Sequence, residues 1–269
     1  AQTRWVPAAN RVLFGSEERL VDSGQALGTA GSEAIDLGDL DGDGDLDAFV
    51  GNTQGSGEVL QNSLPNEVWL NDGSGQFRDS GQKLGQQRTY AVALGDVDGD
   101  GDLDALVGND GADELWLNDG NGRFTLSAQR LSQRITLTVA LVDMDGDGDL
   151  DAVTGHELTS SFAWWRQGII WWNDGRGHFT KGPTIRYRPN GALAVGDVDG
   201  DPFADVLVSS NAAISSLSSS AQRELIGRAF LTYDKEIGQV PGRLIGLPAA
   251  VAADKATGDT LLAPQVRLE

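Results

Sequence analysis

The run DLDGDGDLD beginning at Asp39 recurs as DVDGDGDLD at Asp96, DMDGDGDLD at Asp143 and DVDGDPFAD at Asp197. Carboxylates this crowded repel one another, and ordering them into a folded loop without a cation would cost stability at each of the four copies. The spacing is that of a calcium loop. Positions 1, 3 and 5 supply carboxylates: Asp39, Asp41 and Asp43; Asp96, Asp98 and Asp100; Asp143, Asp145 and Asp147; Asp197, Asp199 and Asp201. Position 7 offers its backbone carbonyl, from Asp45, Asp102, Asp149 and Phe203, and position 9 closes the set with Asp47, Asp104, Asp151 and Asp205. Such a set provides the six to eight hard oxygens that Ca²⁺ prefers, and glycines at positions 4 and 6 permit the turn. Four Ca²⁺ are therefore expected. The fourth site is altered, because Pro202 replaces the position 6 glycine and fixes φ near −65°. These loops hold 19 of the 40 acidic residues, so four ions would bring the formal charge of −20 to −12.

The loops recur at intervals of 57, 47 and 54 residues, and a second marker keeps step with them: WLNDGSGQF at Trp69, WLNDGNGRF at Trp116 and WWNDGRGHF at Trp171. Asn-Asp-Gly-x-Gly between apolar residues is hairpin chemistry. Each unit reads as four short antiparallel strands, the size of a propeller blade. The expected fold is an all-β propeller with blade 1 at 33–85, blade 2 at 90–132, blade 3 at 137–186 and blade 4 at 191–247. Phe14 to Gly28 resembles the outer-strand segment Asn71 to Gly85, while Val251 to Val266 has the length of the inner-strand segment Val92 to Val107. A composite fifth blade, with outer strands from 5–28 and inner strands from 249–269, would close the ring and remove an open edge. Its loop keeps only Asp254 and Asp259, too few acids for an ion.

LGDLDGDGDLDAFVGN, LGDVDGDGDLDALVGN, LVDMDGDGDLDAVTG and VGDVDGDPFADVLVSS resemble FG-GAP/VCBS repeats, whose best-known members are the calcium-binding β-propellers of integrin α subunits. The resemblance covers nearly the whole chain. It implies a propeller fold and calcium, and a role among adhesion, carbohydrate recognition, assembly of surface complexes and, in some larger relatives, polysaccharide cleavage. Five blades would be fewer than in integrin α subunits, so the integrin ligand site does not transfer. Fold alone does not give function.

Composition narrows the choice. The absence of cysteine excludes a disulfide scaffold or thiolate metal site. No apolar run approaches the length of a membrane span. Twenty scattered basic residues against 40 acids argue against nucleic acid. The chain opens on Ala1-Gln2, as a processed mature protein would, and loops of moderate calcium affinity fill where calcium is millimolar. An extracellular, periplasmic or cell-surface location is the expectation.

Recognition is expected on loops that vary among blades: 52–66, 110–112, 155–168 and 209–227. The blade 3 segment GHELTSSFAWWRQGIIWWNDG holds four of the seven tryptophans. Trp171 aligns with Trp69 and Trp116 and reads as interblade packing. Trp164 and Trp165, beside Phe162 and Arg166, have no counterparts, and serve either as a partner or sugar platform or as a local hydrophobic plug. His156 and His178 are the only histidines, leaving little material for a triad or zinc site. The leading expectation is a non-enzymatic interaction or adhesion module, within a larger surface or periplasmic assembly, that contacts a protein. The alternatives are a lectin-like propeller binding a surface glycan and a polysaccharide-degrading enzyme.

Overall fold

A computed structural model of the chain describes residues 9–17, 19–54, 64–157, 166–187, 193–201 and 203–208. Among them the secondary structure is all β, and no helix is long and apolar enough to cross a membrane. An N-terminal hairpin, β1 (Asn10–Gly15) and β2 (Leu20–Leu27), stands as its own two-stranded sheet. Repeat 1 follows as an antiparallel sheet of β3 (Gly31–Gly38), β4 (Asp47–Gln54), β5 (Glu67–Asn71) and β6 (Phe77–Asp79), in that order.

Repeats 2 and 3 share one six-stranded sheet: β7 (Thr89–Gly95), β8 (Asp104–Asn118), β9 (Phe124–Val142), β10 (Asp151–Glu157), β11 (Arg166–Trp172) and β12 (Thr180–Tyr187). Four separate strands per repeat were expected, and here two boundaries disappear. A straight strand of 15 residues would separate the ends of β8 by about 46 Å. Instead the Asn118 N–H donates to Asp104 Oδ1 at 2.8 Å, so β8 folds back on itself. The reversal centres on Gly111, whose φ of 128° suits glycine alone, while the Asn109 N–H donates to Asp113 Oδ1. In β9, residues 124–135 pair with β8 and residues 136–142 pair with β10. The outer strand of one repeat thus runs unbroken into the inner strand of the next. β13 (Leu193–Gly196) and β14 (Asp205–Val208) form the described part of repeat 4.

Because successive side chains point to opposite faces of a strand, repeats 2 and 3 each bury apolar residues on both sides. Phe49, Val68 and Leu70 of repeat 1 pack with Ala105, Val107 and Trp116 of repeat 2. Phe49 meets Phe124 edge to face, with centroids 5.4 Å apart. One repeat later, Leu106 and Leu115 pack with Ala152 and Trp171. Val153 and Ile170 then pack with Ala204 and Val206 of repeat 4. Trp171 therefore lies between repeats, as its alignment indicated.

His156 belongs to this interior. It is fully buried between Thr136 Oγ1 (2.8 Å from Nδ1) and Thr154 Oγ1 (2.8 Å from Nε2). The donors can all run one way: Trp171 Nε1–H to Thr154, Thr154 to His156 Nε2, His156 Nδ1–H to Thr136, and Thr136 to Asp113 Oδ2. Burial holds the imidazole well below its ordinary value, at about 4, so it stays neutral. Repeats 1 and 2 carry Asn52 and Asn109 at this register, facing Ser32 and Thr89. We expect His156→Asn to be nearly neutral in thermal melting, whereas His156→Leu, which leaves both threonine hydroxyls without the ring, should cost about 1–3 kcal/mol. Equal losses for the two variants would show that the network contributes nothing.

Candidate metal centre

Each aspartate loop is the hairpin connection between the first two strands of its repeat. It closes on the same pair every time: Gly38↔Asp47, Gly95↔Asp104, Val142↔Asp151 and Gly196↔Asp205. The position 1 carboxylate organises the turn. Gly42 and Gly44 N–H groups donate to the two oxygens of Asp39 at 2.8 and 3.0 Å, and Asp96 and Asp143 are bonded in the same way. The donating glycines have φ between 76° and 98° in these three loops, the left-handed geometry that the sequence anticipated. In the fourth loop Gly200 makes the first bond to Asp197, but proline at 202 has no N–H with which to make the second.

The ligand ladder then separates into roles. Carboxylate oxygens of Asp96, Asp98 and Asp104 lie within 4.8 Å of one another, as do those of Asp143, Asp145 and Asp151 and of Asp197, Asp199 and Asp205. In the first loop the cluster is Asp39, Asp41 and Asp43. Each cluster could hold a metal ion. Position 5 also caps the loop: Asp43, Asp100, Asp147 and Asp201 each accept the N–H of position 7. At position 7 the side chains of Asp45, Asp102 and Asp149 lie against Gly73, Gly120 and Gly175 of the NDG turns, where any Cβ would collide with the carboxylate. Their expected contribution was the backbone carbonyl alone, and Phe203 stands at the same position in the fourth loop.

Position 9 does more than sequence reasoning assigned to it. Asp47 accepts the Leu40 N–H on Oδ2 and the Asn71 N–H on Oδ1; Asp104 and Asp151 take Val97 with Asn118 and Met144 with Asn173. One carboxylate so pins both the loop and the end of the third strand. Burial raises the pKa of these groups, to about 7 for Asp104 and about 6 for Asp151, the backbone N–H bonds opposing but not cancelling the effect. Asp41, Asp98 and Asp145 are also raised, first by desolvation and then by neighbouring carboxylates.

The donor set fits a hard cation. Asp41 Oδ1 and Asp98 Oδ1 are buried without a protein hydrogen-bond partner, and both belong to the convergent clusters. A buried carboxylate oxygen left in that condition costs free energy unless something positive meets it. Oxygen donors alone, with no nitrogen or sulfur among them, suit calcium or magnesium rather than zinc or copper.

Neighbouring repeats hold the loops from outside. Asn118 Nδ2 donates to Leu40 O in the preceding loop (2.9 Å) and to Leu103 O in its own (3.2 Å), and Asn173 does likewise with Val97 and Leu150. A second clasp comes from glutamines. Gln82 Nε2 donates to Gly122 O while its Oε1 accepts the Phe124 N–H. Gln129 grips Phe179 in the same two-bonded way, and Gln25 of the N-terminal hairpin grips Gly75 and Phe77 of repeat 1. The clasps escaped sequence reasoning, although DSGQALG, DSGQKLG and LSAQRLS in register carried the signal.

Of the expected contact residues, Phe162, Trp164 and Trp165 lie outside the described residues, and Arg166 opens β11 opposite Glu157. His178 is exposed, 3.7 Å from Asp174. Most of the variable loops, and the whole of 209–269, also lie outside the described residues.

The sequence family described as FG-GAP-like repeat matches residues 39–107 and, overlapping them, 96–154. No curated protein matches the chain. Among solved structures, the Tc holotoxin pore of Photorhabdus luminescens aligns with 75% of this chain at 18% identity and a TM-score of 0.34, and the chain spans only 12% of that toxin chain. A lectin of Agrocybe aegerita, solved for its recognition of non-reducing terminal N-acetylglucosamine, aligns over 76% of this chain and 75% of its own at 15% identity, also with a TM-score of 0.34.

Proposed function

Because this chain carries FG-GAP-like repeats across residues 39–154 and so belongs to that repeat family, we propose that it is a calcium-stabilised β-propeller that acts as a protein-interaction or adhesion module outside the cytoplasm. Its repeats are the blades, five with the composite one. Calcium occupies the four aspartate loops, and the chain performs no catalysis. The observation that carries this reading is the pair of buried, unpartnered oxygens on Asp41 and Asp98, set in clusters that recur in register with the fold. A cation there ties together a hairpin, the third strand and, through Asn118 and Asn173, the next repeat. Such a module is rigid where calcium is abundant and presents its longest loops to a partner.

The contact is centred on the repeat 3 loop, with Trp164 and Trp165 as anchors. The Trp164→Ala, Trp165→Ala double variant should weaken partner binding by about 2–4 kcal/mol while leaving the calcium-dependent melt unchanged. Capture of the native partner, run beside a glycan array, measures this. A lowered melting temperature with binding intact would make the two tryptophans a core plug. Loss of glycan binding, with protein capture untouched, would replace the protein partner by a sugar.

A further inference from the structure

We infer that one bound water molecule joins Glu67 Oε2 to Trp69 Nε1 and a second joins Glu114 Oε2 to Trp116 Nε1, the first where the N-terminal hairpin meets repeat 1 and the second where repeat 1 meets repeat 2.

The two pairs are built alike. Glu67 and Trp69 stand two residues apart on β5, so their side chains share one face of the strand, and Glu114 and Trp116 do the same on β8. All four polar atoms are buried without a protein hydrogen-bond partner. Glu114 and Trp116 are each only 7% exposed, so bulk solvent does not serve them. Lys83 meets the other oxygen of Glu67 at 2.7 Å, which leaves Oε2 to the interior. A glycine from the preceding element faces each pair. A Cβ on Gly28 would stand 2.7 Å from Glu67 Oε2 and 3.9 Å from Trp69 Cζ2, and one on Gly85 would stand 2.6 Å from Glu114 Oε2 and 3.8 Å from Trp116 Cζ2. Carboxylate and indole therefore converge on one glycine, and no side chain from that residue comes between them. Gly28 and Gly85 each follow a clasping glutamine, Gln25 or Gln82, by three residues, so both sites adjoin a clasp.

Repeat 3 solves the same problem without a bridge. Trp171 occupies the register of Trp69 and Trp116, but its Nε1–H donates directly to Thr154 Oγ1 at 2.9 Å. There Ile169 replaces the glutamate, Thr154 replaces Val50 and Val107, and Ser132 replaces the glycine. Val50 pairs across the ladder with Glu67, and Thr154 with Ile169. The polar member of this cross-strand pair has changed strands, and the acceptor for the indole has moved with it.

The chemistry of the two groups selects water. An indole N–H only donates and a carboxylate oxygen accepts, so whatever joins them has to accept from one and donate to the other. A metal cation cannot accept the indole proton, and an anion would be repelled by the carboxylate. Four such atoms left unmet would cost free energy at both joints, and a buried water with polar partners on two sides removes that cost.

A crystal structure of the full chain, at a resolution that orders interior waters, tests this. One density peak should lie within about 2.7–3.2 Å of both Glu114 Oε2 and Trp116 Nε1, another should lie likewise between Glu67 and Trp69, and none should lie beside the Trp171 indole N–H. Direct bonds between carboxylates and indoles, or sites that hold no peak, would overturn the assignment. The double variant Val107→Thr, Glu114→Ile transplants the repeat 3 arrangement into repeat 2. The peak beside Trp116 should vanish while the one beside Trp69 stays, and a peak that persists beside Trp116 would show that the carboxylate does not hold it. Melting gives an independent readout. Val107→Thr should raise the melting temperature where Glu114→Ile is already present, because the new hydroxyl meets the indole N–H, and should lower it in the parent, where the indole is already served. The same shift in both backgrounds would likewise overturn the bridge.

Discussion

Removing calcium should unfold this chain at temperatures where the loaded form is stable. With each loop filled at 100 times its dissociation constant, linkage supplies about 2.7 kcal/mol per site, so several sites together rival the 5–15 kcal/mol that a whole domain commands. Excess EGTA should lower the melting temperature sharply, with metal analysis showing the ions gone. The metal-free chain should also respond to pH in a distinctive direction. Asp104 and Asp113, raised to about 7, and Asp151, raised to about 6, hold protons in the folded state that the unfolded chain releases near its ordinary value of 3.8. Their contribution is full below that value and is lost as pH rises through 6 to 7. His156 opposes them, since its depressed value makes stability fall as pH drops from 6.5 toward 4, but it is one group against these three and the other raised loop carboxylates. The metal-free melt should therefore rise on acidification from pH 7 to 5, whereas the calcium-loaded melt should fall as protons compete with the ion. The same melt with and without EGTA, at every pH, would show that the loops are ordered by the protein alone.

Asp104→Ala should be the most damaging single loop substitution in repeat 2. It removes one oxygen donor from the cluster and leaves the buried N–H groups of Val97 and Asn118 without an acceptor, each orphan costing about 1–3 kcal/mol. Asp100→Ala is the control, because that carboxylate caps only the exposed Asp102 N–H. Both variants should lower the calcium-loaded melt, but in excess EGTA Asp104→Ala should remain destabilised and Asp100→Ala should match the parent. Asp201→Ala should cost least, since its loop already lacks the second N–H bond to position 1. If Asp104→Ala matched the parent in EGTA, its two backbone bonds would not contribute to stability.

How much of this could be read from residues alone follows from what each residue type can reveal. Asp-Gly ladders in phase with NDG turns announce a hairpin that gathers carboxylates, because few other folds require glycine at those offsets with acids between. Trp171 could be placed between repeats by alignment with Trp69 and Trp116. The glutamine clasps were hidden, because Gln25, Gln82 and Gln129 resemble any polar residue on an outer strand until both ends of each amide are seen bonded. The double duty of Asp47, Asp104 and Asp151 was hidden too, since spacing marks a ligand but not the strand end that it also secures. The unbroken β9 escaped for a related reason: the link between repeats 2 and 3, SAQRLSQR, is polar and has no glycine or proline, so it looked like a connection although it keeps strand pairing throughout.

Everything proposed for function rests on ions in the aspartate loops, and counting them is the most direct test. Equilibrium dialysis of the full chain at millimolar calcium should find four bound per molecule, and Asp98→Ala should bind one fewer while the other loops stay filled. A chain that binds none at that concentration, yet remains folded, would contradict the account.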